Sequence, residues 1–301
     1  LLFKIFKLQS DKGVYGMNQL KLESMLKRFF LEDIGDGDIS GERLFAKNTI
    51  GTFSFHAKEE GIFCGEDIIT IGFSMFNNGV KCNLLKHDGD LLNKGDLIAE
   101  IEGPIQTLLA GERVILNLVQ RMSGIATATR QAVNQTVHST AKICDTRKTT
   151  PGLRMLEKYA VRMGGAFNHR NGLYDCVMLK DNHIAFAGSI TSAVNTIRSR
   201  IGHTIKIETE IETKAQLIEA IEAGVDIIMF DNRTPEEIKE WLPLVPLHIT
   251  TEVSGGIQYN QIKDYAATGV DWISLGSLTH SVKALDISAL VQLKGVTQIA
   301  H

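Results

Sequence analysis

From about residue 140 onward the sequence alternates between short apolar runs and helical stretches. The runs lie near 142–145 (KICD), 176–180 (CVMLK), 205–211 (IKIETEI), 225–231 (VDIIMFD), 247–254 (LHITTEVS) and 270–276 (VDWISLG). Helical spacing fills 152–164, 190–200, 213–223, 235–242 and 257–268. Strands alternating with helices of this size imply βα units and a parallel sheet. The sequences AGVD and TGVD each place a glycine stop, Gly224 and Gly269, between a helix and the next strand. Six such units predict an α/β barrel smaller than the usual eight, or open. A doubly wound sheet is the structural alternative.

The region ahead of it reads differently. Leu20, Leu22, Met25, Leu26 and Phe29 suit an amphipathic helix over 17–30, followed by an acidic, glycine-bearing loop, LEDIGDGDIS. A loose strand fits 49–57, a helix 66–76, and short strands with Asp-Gly and Lys-Gly turns fit 80–102. That last segment also looks like half of a lipoyl- or biotinyl-carrier domain. No lysine sits at an exposed hairpin tip there, so a plain β-turn-β scaffold is preferred. A long helical pattern from Gly111 to about His138 joins the two regions without a low-complexity linker. The domains are therefore read as 17–124 and 125–280. Residues 1–16 precede the first methionine, Met17, and are expected to be upstream sequence outside the fold.

Lysine and arginine total 32 against 35 aspartate and glutamate, a net charge of −3, which argues against a nucleic-acid partner. No apolar run reaches the length of about 18 residues that spans a membrane. The opening LLFKIFKLQS has too short an apolar block for a signal peptide. Cys64, Cys82, Cys144 and Cys176 are scattered with no CxxC pair. They are expected to be buried, reduced thiols of a cytoplasmic protein rather than a zinc or redox site.

The near-neutral total hides an uneven distribution. Residues 142–180 hold eight basic side chains against three acidic, a surplus of five that leaves −8 for the rest. A basic island in an acidic chain points to a localised anionic ligand rather than a polyanion. Arg154, Lys158 and Arg162 recur at helical spacing and are expected to form a solvated face. Arg147, Lys148, Arg170 and Lys180 fall in loops or just after strands, with His169 beside Arg170.

In parallel α/β folds, sites form at the C-terminal strand ends. Those ends deliver Thr146-Arg147-Lys148, Lys180-Asp181-Asn182-His183, Glu208 and Glu210, Asp231-Asn232, Ser254-Gly255-Gly256 and Gly276-Ser277. Strand parity sets Glu208 and Glu210 opposite Ile207 and Ile211, and Glu252 opposite Ile249 and Val253. Helices cover the apolar faces, so the carboxylates point inward. Unpaired buried charge is costly, so they must meet cations, a metal or a polar ligand. An internal salt-bridge network without chemistry is the plain alternative. SGG (254–256) and LGS (275–277) on consecutive strands predict a phosphate cradle of backbone N–H groups.

A phosphate cradle, inward carboxylates and a cationic rim suggest Mg²⁺, a phosphorylated sugar and a poly-acid held by bidentate arginines. The chemistry that unites them is transfer at an anomeric carbon. Carboxylates would stabilise the positive sugar, and Mg²⁺ with basic side chains the leaving group.

The segments GERVILNLVQRMSGIATATR (111–130), DTRKTTPGLR (145–154), NHRNGLYDCVMLKDNHI (168–184), IETE (207–210), FDN (230–232), SGGI (254–257) and LGSLTHS (275–281) are those of a known family. Over about residues 20–290 the chain resembles the quinolinate phosphoribosyltransferases, or carboxylating nicotinate-nucleotide pyrophosphorylases. The resemblance implies transfer from phosphoribosyl pyrophosphate to quinolinate with Mg²⁺, giving nicotinate mononucleotide, pyrophosphate and CO₂ in de novo NAD synthesis. It implies an N-terminal α/β sandwich and an incomplete parallel α/β barrel of six or seven strands, with segment 281–301 returning to the N-terminal domain.

By matching motifs, Arg147, His169, Arg170 and Lys180 would hold the quinolinate carboxylates. Arg113 would join them from the neighbouring subunit of a homodimer or higher homo-oligomer. Lys148 would serve the pyrophosphate side or the shared rim. Glu210 and Asp231 would bind ribose hydroxyls and Mg²⁺, with Glu208 nearby, and Ser254, Gly255, Gly256, Gly276 and His280 would take the 5′-phosphate. Lys148, Lys180, Glu210 and Asp231 would be the catalytic set. One departure is Ala166-Phe167, where glycine is common before the NHR motif.

Four rivals stand beside this reading. A molybdenum-transport-associated relative resembles the chain around RKTTPGLR, but the intact Lys180-Asp181-Asn182-His183 argues against it. Nicotinate phosphoribosyltransferase acts on a base with one carboxylate and needs fewer cations. A non-catalytic sensor of a phosphorylated metabolite would not need both sides of the reaction. A carrier-domain scaffold lacks its lysine.

Overall fold

The computed structural model describes residues 16–76 and 79–291. Residues 1–15 of the upstream segment and 292–301 of the C-terminal segment lie outside the described residues. In chain order the strands are β1 (Ile50–Ala57), β2 (Gly61–Ile62), β3 (Lys81–Leu84), β4 (Leu91–Leu92), β5 (Leu97–Pro104), β6 (Lys142–Cys144), β7 (Val177–Leu179), β8 (Ile207–Ile211), β9 (Ile227–Asp231), β10 (Thr250–Ser254), β11 (Trp272–Ser274) and β12 (Ile287–Val291). Two compact units result. Among the described residues, the first takes the stretch up to Thr127, Met155–Gly164 and the chain from Val282, and the second takes Ala128–Arg154 and Gly165–Ser281.

The first unit is built on an antiparallel sheet ordered β12-β1-β5-β3, with β2 and β4 paired separately. In β1, Phe53 and Phe55 are buried and stand opposite Ile101 and Ala99 of β5. The helix Gln19–Ile34 buries Leu22, Met25, Leu26 and Phe30, one face at helical spacing. Its N-cap is Asn18, whose side chain accepts the Lys21 N–H at 3.0 Å. The helix outruns the expected end at 30, because LEDI continues it to a glycine stop at Gly35. The helix Ile105–Asn134 begins six residues ahead of Gly111.

The helix Arg154–Met163 corrects two expectations. The sequence reading placed it within the barrel domain, yet Met155–Gly164 packs with the first unit. Its Glu157 accepts Arg121 Nε at 2.9 Å, and its Tyr159 hydroxyl donates to Asp88 at 2.7 Å. Lys158 does not belong to a solvated face, since it is only 3 % exposed and Glu157 only 1 %.

The second unit is a six-stranded parallel sheet ordered β6-β11-β10-β9-β8-β7. β6 and β7 are its two edges, so the barrel is open. Phe167 adds a single parallel bridge to Cys144, through Phe167 N–H to Ile143 O at 2.9 Å and Asp145 N–H to Phe167 O at 3.1 Å. This strand-like residue lies beyond β6. Phe167 also meets the Trp272 ring edge-on at 5.3 Å. Ala166 and Phe167, the departure from the family pattern, thus serve as barrel edge.

Helix starts follow their chemistry. Thr213 and Thr234 form capping boxes with Gln216 and Glu237, and Pro235 opens its helix. Gly224 (φ 72°) and Gly269 (φ 96°) occupy the left-handed conformation that ends helices ahead of β9 and β11. The sequence did not reveal the helix Asp181–Ala187, which has no buried residue. No helix of the described residues is long and apolar enough to cross a membrane.

Candidate active site

The β8 sequence IETEI alternates so that Ile207 and Ile211 face one way and Glu208 and Glu210 the other. All but Glu210 are buried, because a parallel sheet is covered on both faces. Glu208 is 0 % exposed and Glu252, on β10, is 4 % exposed. Both carboxylates close around one imidazole. His169 Nε2 lies 3.1 Å from Glu208 Oε2 and 3.5 Å from Glu252 Oε1. Burial and the Glu208 carboxylate push Glu252 up to about 7. The Ser274 hydroxyl is hydrogen-bonded to Glu252 Oε1 and lies 2.8 Å from Cys144 Sγ.

His169 is held from the other side too. Its Nδ1 accepts the Arg170 backbone N–H at 2.8 Å. Its own backbone N–H donates to Asp145 Oδ1 at 2.8 Å, and Asn168 Nδ2 donates to Asp145 Oδ2 at 2.6 Å. Asp145 is wholly buried at the end of β6. The NHR turn is therefore tied to β6 by one carboxylate, and both ring nitrogens of His169 are engaged within the protein.

Arg147, Arg154 and Arg170 form a cationic group. Arg154 donates to Thr149 Oγ1 and to Asn171 O, and Arg170 to Cys176 O, all neutral acceptors. Arg147 Nε is buried with no hydrogen-bond partner. Burial first, then Arg170 and Arg154, lower the Arg147 pKa. An arginine crowded by like charges with an orphaned N–H is a ready anion receptor.

Lys180, at the end of β7, is hydrogen-bonded and ion-paired to Glu210, at the end of β8. Burial pushes the Glu210 carboxyl up, Lys180 opposes this, and Asp231 and Glu208 push it up further. Asp231, at the end of β9, accepts Asn232 Nδ2 at 2.8 Å.

The glycine loops leave little room for a side chain at two places. Gly255 has φ 100°, and a Cβ there would sit 2.3 Å from Asn232 Oδ1. Asn232 itself has φ 53°. A Cβ on Gly276 would sit 3.0 Å from Lys148 Cδ and 3.2 Å from His280, so these three share a rim position. Thr279 Oγ1 donates to Lys148 O at 2.8 Å and fixes that loop.

The second unit thus brings together the cationic group, the Lys180–Glu210 pair with Asp231, and the rim of Lys148, Gly276 and His280. Arg113 is in the first unit, exposed on the helix Ile105–Asn134. Glu252 and Asp145 were not among the candidate site residues. Parity marked Glu252 as inward-facing, whereas Asp145 stood only as the first residue of the DTRKTTPGLR motif. A cavity of about 380 Å³ is lined by His169, Arg170, Glu208, Glu252, Lys206 and Trp272 among others. Lys206 and Trp272 lie at the N-terminal ends of strands, so it opens away from the glycine loops.

Two sets of side chains could hold a cation. His169 Nε2 and oxygens of Glu208 and Glu252 lie within 4.8 Å of one another. The His169–Glu208 hydrogen bond and the contact of His169 with Glu252 already account for that arrangement. Glu210 and Asp231 offer oxygen donors only, and a cation would offset the burial, and then the Asp231 and Glu208 charges, that raise Glu210. One or two carboxylates completed by substrate phosphates is the usual Mg²⁺ environment.

Comparison with known proteins agrees with this layout. Residues 38–123 match the family described as "Quinolinate phosphoribosyl transferase, N-terminal domain", and residues 125–290 its C-terminal domain. The chain is 55% identical over 277 residues to a "Probable nicotinate-nucleotide pyrophosphorylase [carboxylating]" of Bacillus subtilis (strain 168), covering 92% of this chain and 96% of that protein. It is 36% identical to "Quinolinate phosphoribosyltransferase [decarboxylating] 1b" of Nicotiana tabacum, covering 93% and 85%. The crystal structure of NadC from Streptococcus pyogenes superimposes with a TM-score of 0.88 at 39% identity, covering 92% of this chain and 98% of that one.

Proposed function

The chain belongs to the quinolinate phosphoribosyl transferase family, and we propose that its second unit carries out the family's reaction with the residues described above. The activity is that of a nicotinate-nucleotide pyrophosphorylase (carboxylating), a phosphoribosyltransferase of NAD biosynthesis. The observation that carries the residue assignment is the orphaned Arg147 Nε among two further guanidinium groups. A dicarboxylate would satisfy that N–H and relieve the like-charge crowding at once.

In this reading Arg147 and Arg170 grip the quinolinate carboxylates, and Lys180 turns from Glu210 to join them. Lys148 meets the pyrophosphate. Backbone N–H groups of Gly255, Gly256 and Gly276, with Ser254 and His280, take the 5′-phosphate. Glu210 and Asp231 hold the ribose hydroxyls and Mg²⁺, which would offset charge on the departing pyrophosphate. The quinolinate nitrogen bonds to the anomeric carbon as the carbon–pyrophosphate oxygen bond breaks. The ring bond to the adjacent carboxylate then breaks, CO₂ leaves, and that ring carbon takes up a proton. The inward carboxylates favour the sugar cation during the first step.

The working unit is a homodimer in the cytoplasm, with Arg113 offered to the partner's site. A mixture of Arg113→Ala and Lys180→Ala chains should recover activity through heterodimers. No recovery in a mixture shown to exchange subunits would refute the shared site. The reaction is tested with Mg²⁺, phosphoribosyl pyrophosphate and either quinolinate or nicotinate, reading pyrophosphate and CO₂. Turnover with nicotinate alone would refute the substrate.

A further inference from the structure

Arg147 and Arg170 reach the anion site from two segments, one following β6 and the other ending the NHR turn. Burial lowers the Arg147 pKa first and the Arg170 charge next, so like charge tends to drive the two segments apart. A dicarboxylate gains most from both when their spacing is set before it arrives. We infer that Asp145 is a positioning residue, whose carboxylate sets the spacing of Arg147 and Arg170 by fastening the NHR turn to the end of β6. This rests on the quinolinate role proposed for the two arginines.

β6 is the fixed partner. Its Lys142, Ile143 and Cys144 stand opposite Trp272, Ile273 and Ser274 of β11, and Leu275 N–H donates to Cys144 O at 2.9 Å. The chain ahead of the NHR turn meets β6 through an isolated bridge at Phe167 rather than through a strand. The Asp145 side chain carries that attachment two residues further. Its Oδ2 accepts Asn168 Nδ2 at 2.6 Å, and its Oδ1 accepts the His169 backbone N–H at 2.8 Å. Asp145 is 0 % exposed, so both bonds form away from water, where losing a partner is costly. The residue stands two positions before Arg147, and it binds the two residues that precede Arg170. One carboxylate thereby indexes both arginines. Its bond to His169 is made to the backbone, which is compatible with the carboxylate-binding role the family resemblance implies for that side chain.

The test reverses the side-chain bond in the full-length protein. Asn168→Asp sets a second carboxylate against Asp145, and adding Asp145→Asn restores a donor facing an acceptor. Asn168→Asp should weaken quinolinate at least about tenfold, by calorimetry and by KM, the scale of one hydrogen bond to a charged group. The KM for phosphoribosyl pyrophosphate should stay near its wild-type value. The double variant should recover most of the lost quinolinate affinity, and Asp145→Ala, which removes both acceptors, should lose at least as much as Asn168→Asp. A merely structural Asp145 would lower the melting temperature and disturb both substrates alike. Unchanged quinolinate binding in Asn168→Asp, equal loss of both substrates, or a double variant no better than Asn168→Asp would overturn the inference. Should Asn168→Asp fail to fold, Asn168→Ala drops one bond without adding charge and decides between the same outcomes on the two substrates. A wild type that neither binds nor turns over quinolinate would overturn the proposed reaction and this role with it, whereas a wild type that binds and variants that match it would overturn the role alone.

Discussion

Lys180 and Glu210 are ion-paired across the ends of two adjacent strands, β7 and β8. By motif, one belongs to the acceptor side of the reaction and the other to the sugar side. In the free protein the two side chains meet one another, and on the proposed roles substrates would part them. Within the pair Lys180 opposes the upward push of burial on the Glu210 carboxyl, and Glu210 holds Lys180 at the site.

Glu210→Gln should therefore separate the two roles. Quinolinate binding, followed by calorimetry, should hold or tighten as Lys180 is released. Turnover should fall by about a hundredfold or more, the usual loss when a preorganised charge is removed. Parallel loss of binding and turnover would show that Glu210 also shapes the acceptor site.

Arg147→Ala should weaken quinolinate by about 10- to 150-fold, the range for a charge-assisted hydrogen bond. The same substitution should raise the melting temperature slightly, since it relieves crowding among Arg147, Arg154 and Arg170. A melting temperature that drops would show that the guanidinium is paired in the free protein.

Gly255→Ala and Gly256→Ala form an internal control. Both residues have positive φ, but only at Gly255 would a Cβ strike a neighbour, Asn232. Gly255→Ala should lose at least about 2 kcal/mol of stability, with a further rise in the KM for phosphoribosyl pyrophosphate. Gly256→Ala should lose about 1 kcal/mol, from conformation alone. Denaturant unfolding of both variants compares the two losses.

Stability should also fall as pH rises from about 4.5 to about 7. Glu252 binds its proton more tightly in the folded chain, where its pKa is about 7, than when unfolded. Between those values the unfolded state has released the proton and the folded state has not. The stabilisation from that proton is full below the unfolded value and is lost through the folded one, up to about 3 kcal/mol. Glu252→Gln should lack this component in urea melts taken across the range.

The alternation of strand and helix made the parallel sheet legible, because periods of 2 and 3.6 are local properties of the chain. Strand parity likewise exposed Glu208, Glu210 and Glu252 as inward-facing. What stayed hidden depends on which surface a local element meets. The helix Arg154–Met163 shows a clear amphipathic pattern, but spacing cannot say that its partners are Arg121 and Asp88. The same blindness made Lys158 look solvated. The motif marked His169 and Arg170, while the bond between them, and the commitment of both ring nitrogens, needed coordinates. Helix Asp181–Ala187 buries no side chain, so it leaves no apolar stripe to detect.

The pairing of β12 with β1 has a bearing on synthesis. Ser54 Oγ donates to Leu290 O at 3.3 Å across 236 positions of sequence. While a ribosome is still making the second unit, one flank of β1 has no partner and presents free backbone donors and acceptors. Such an edge invites pairing with another nascent chain. Ile287–Val291 seals that edge only after the six parallel strands have been translated.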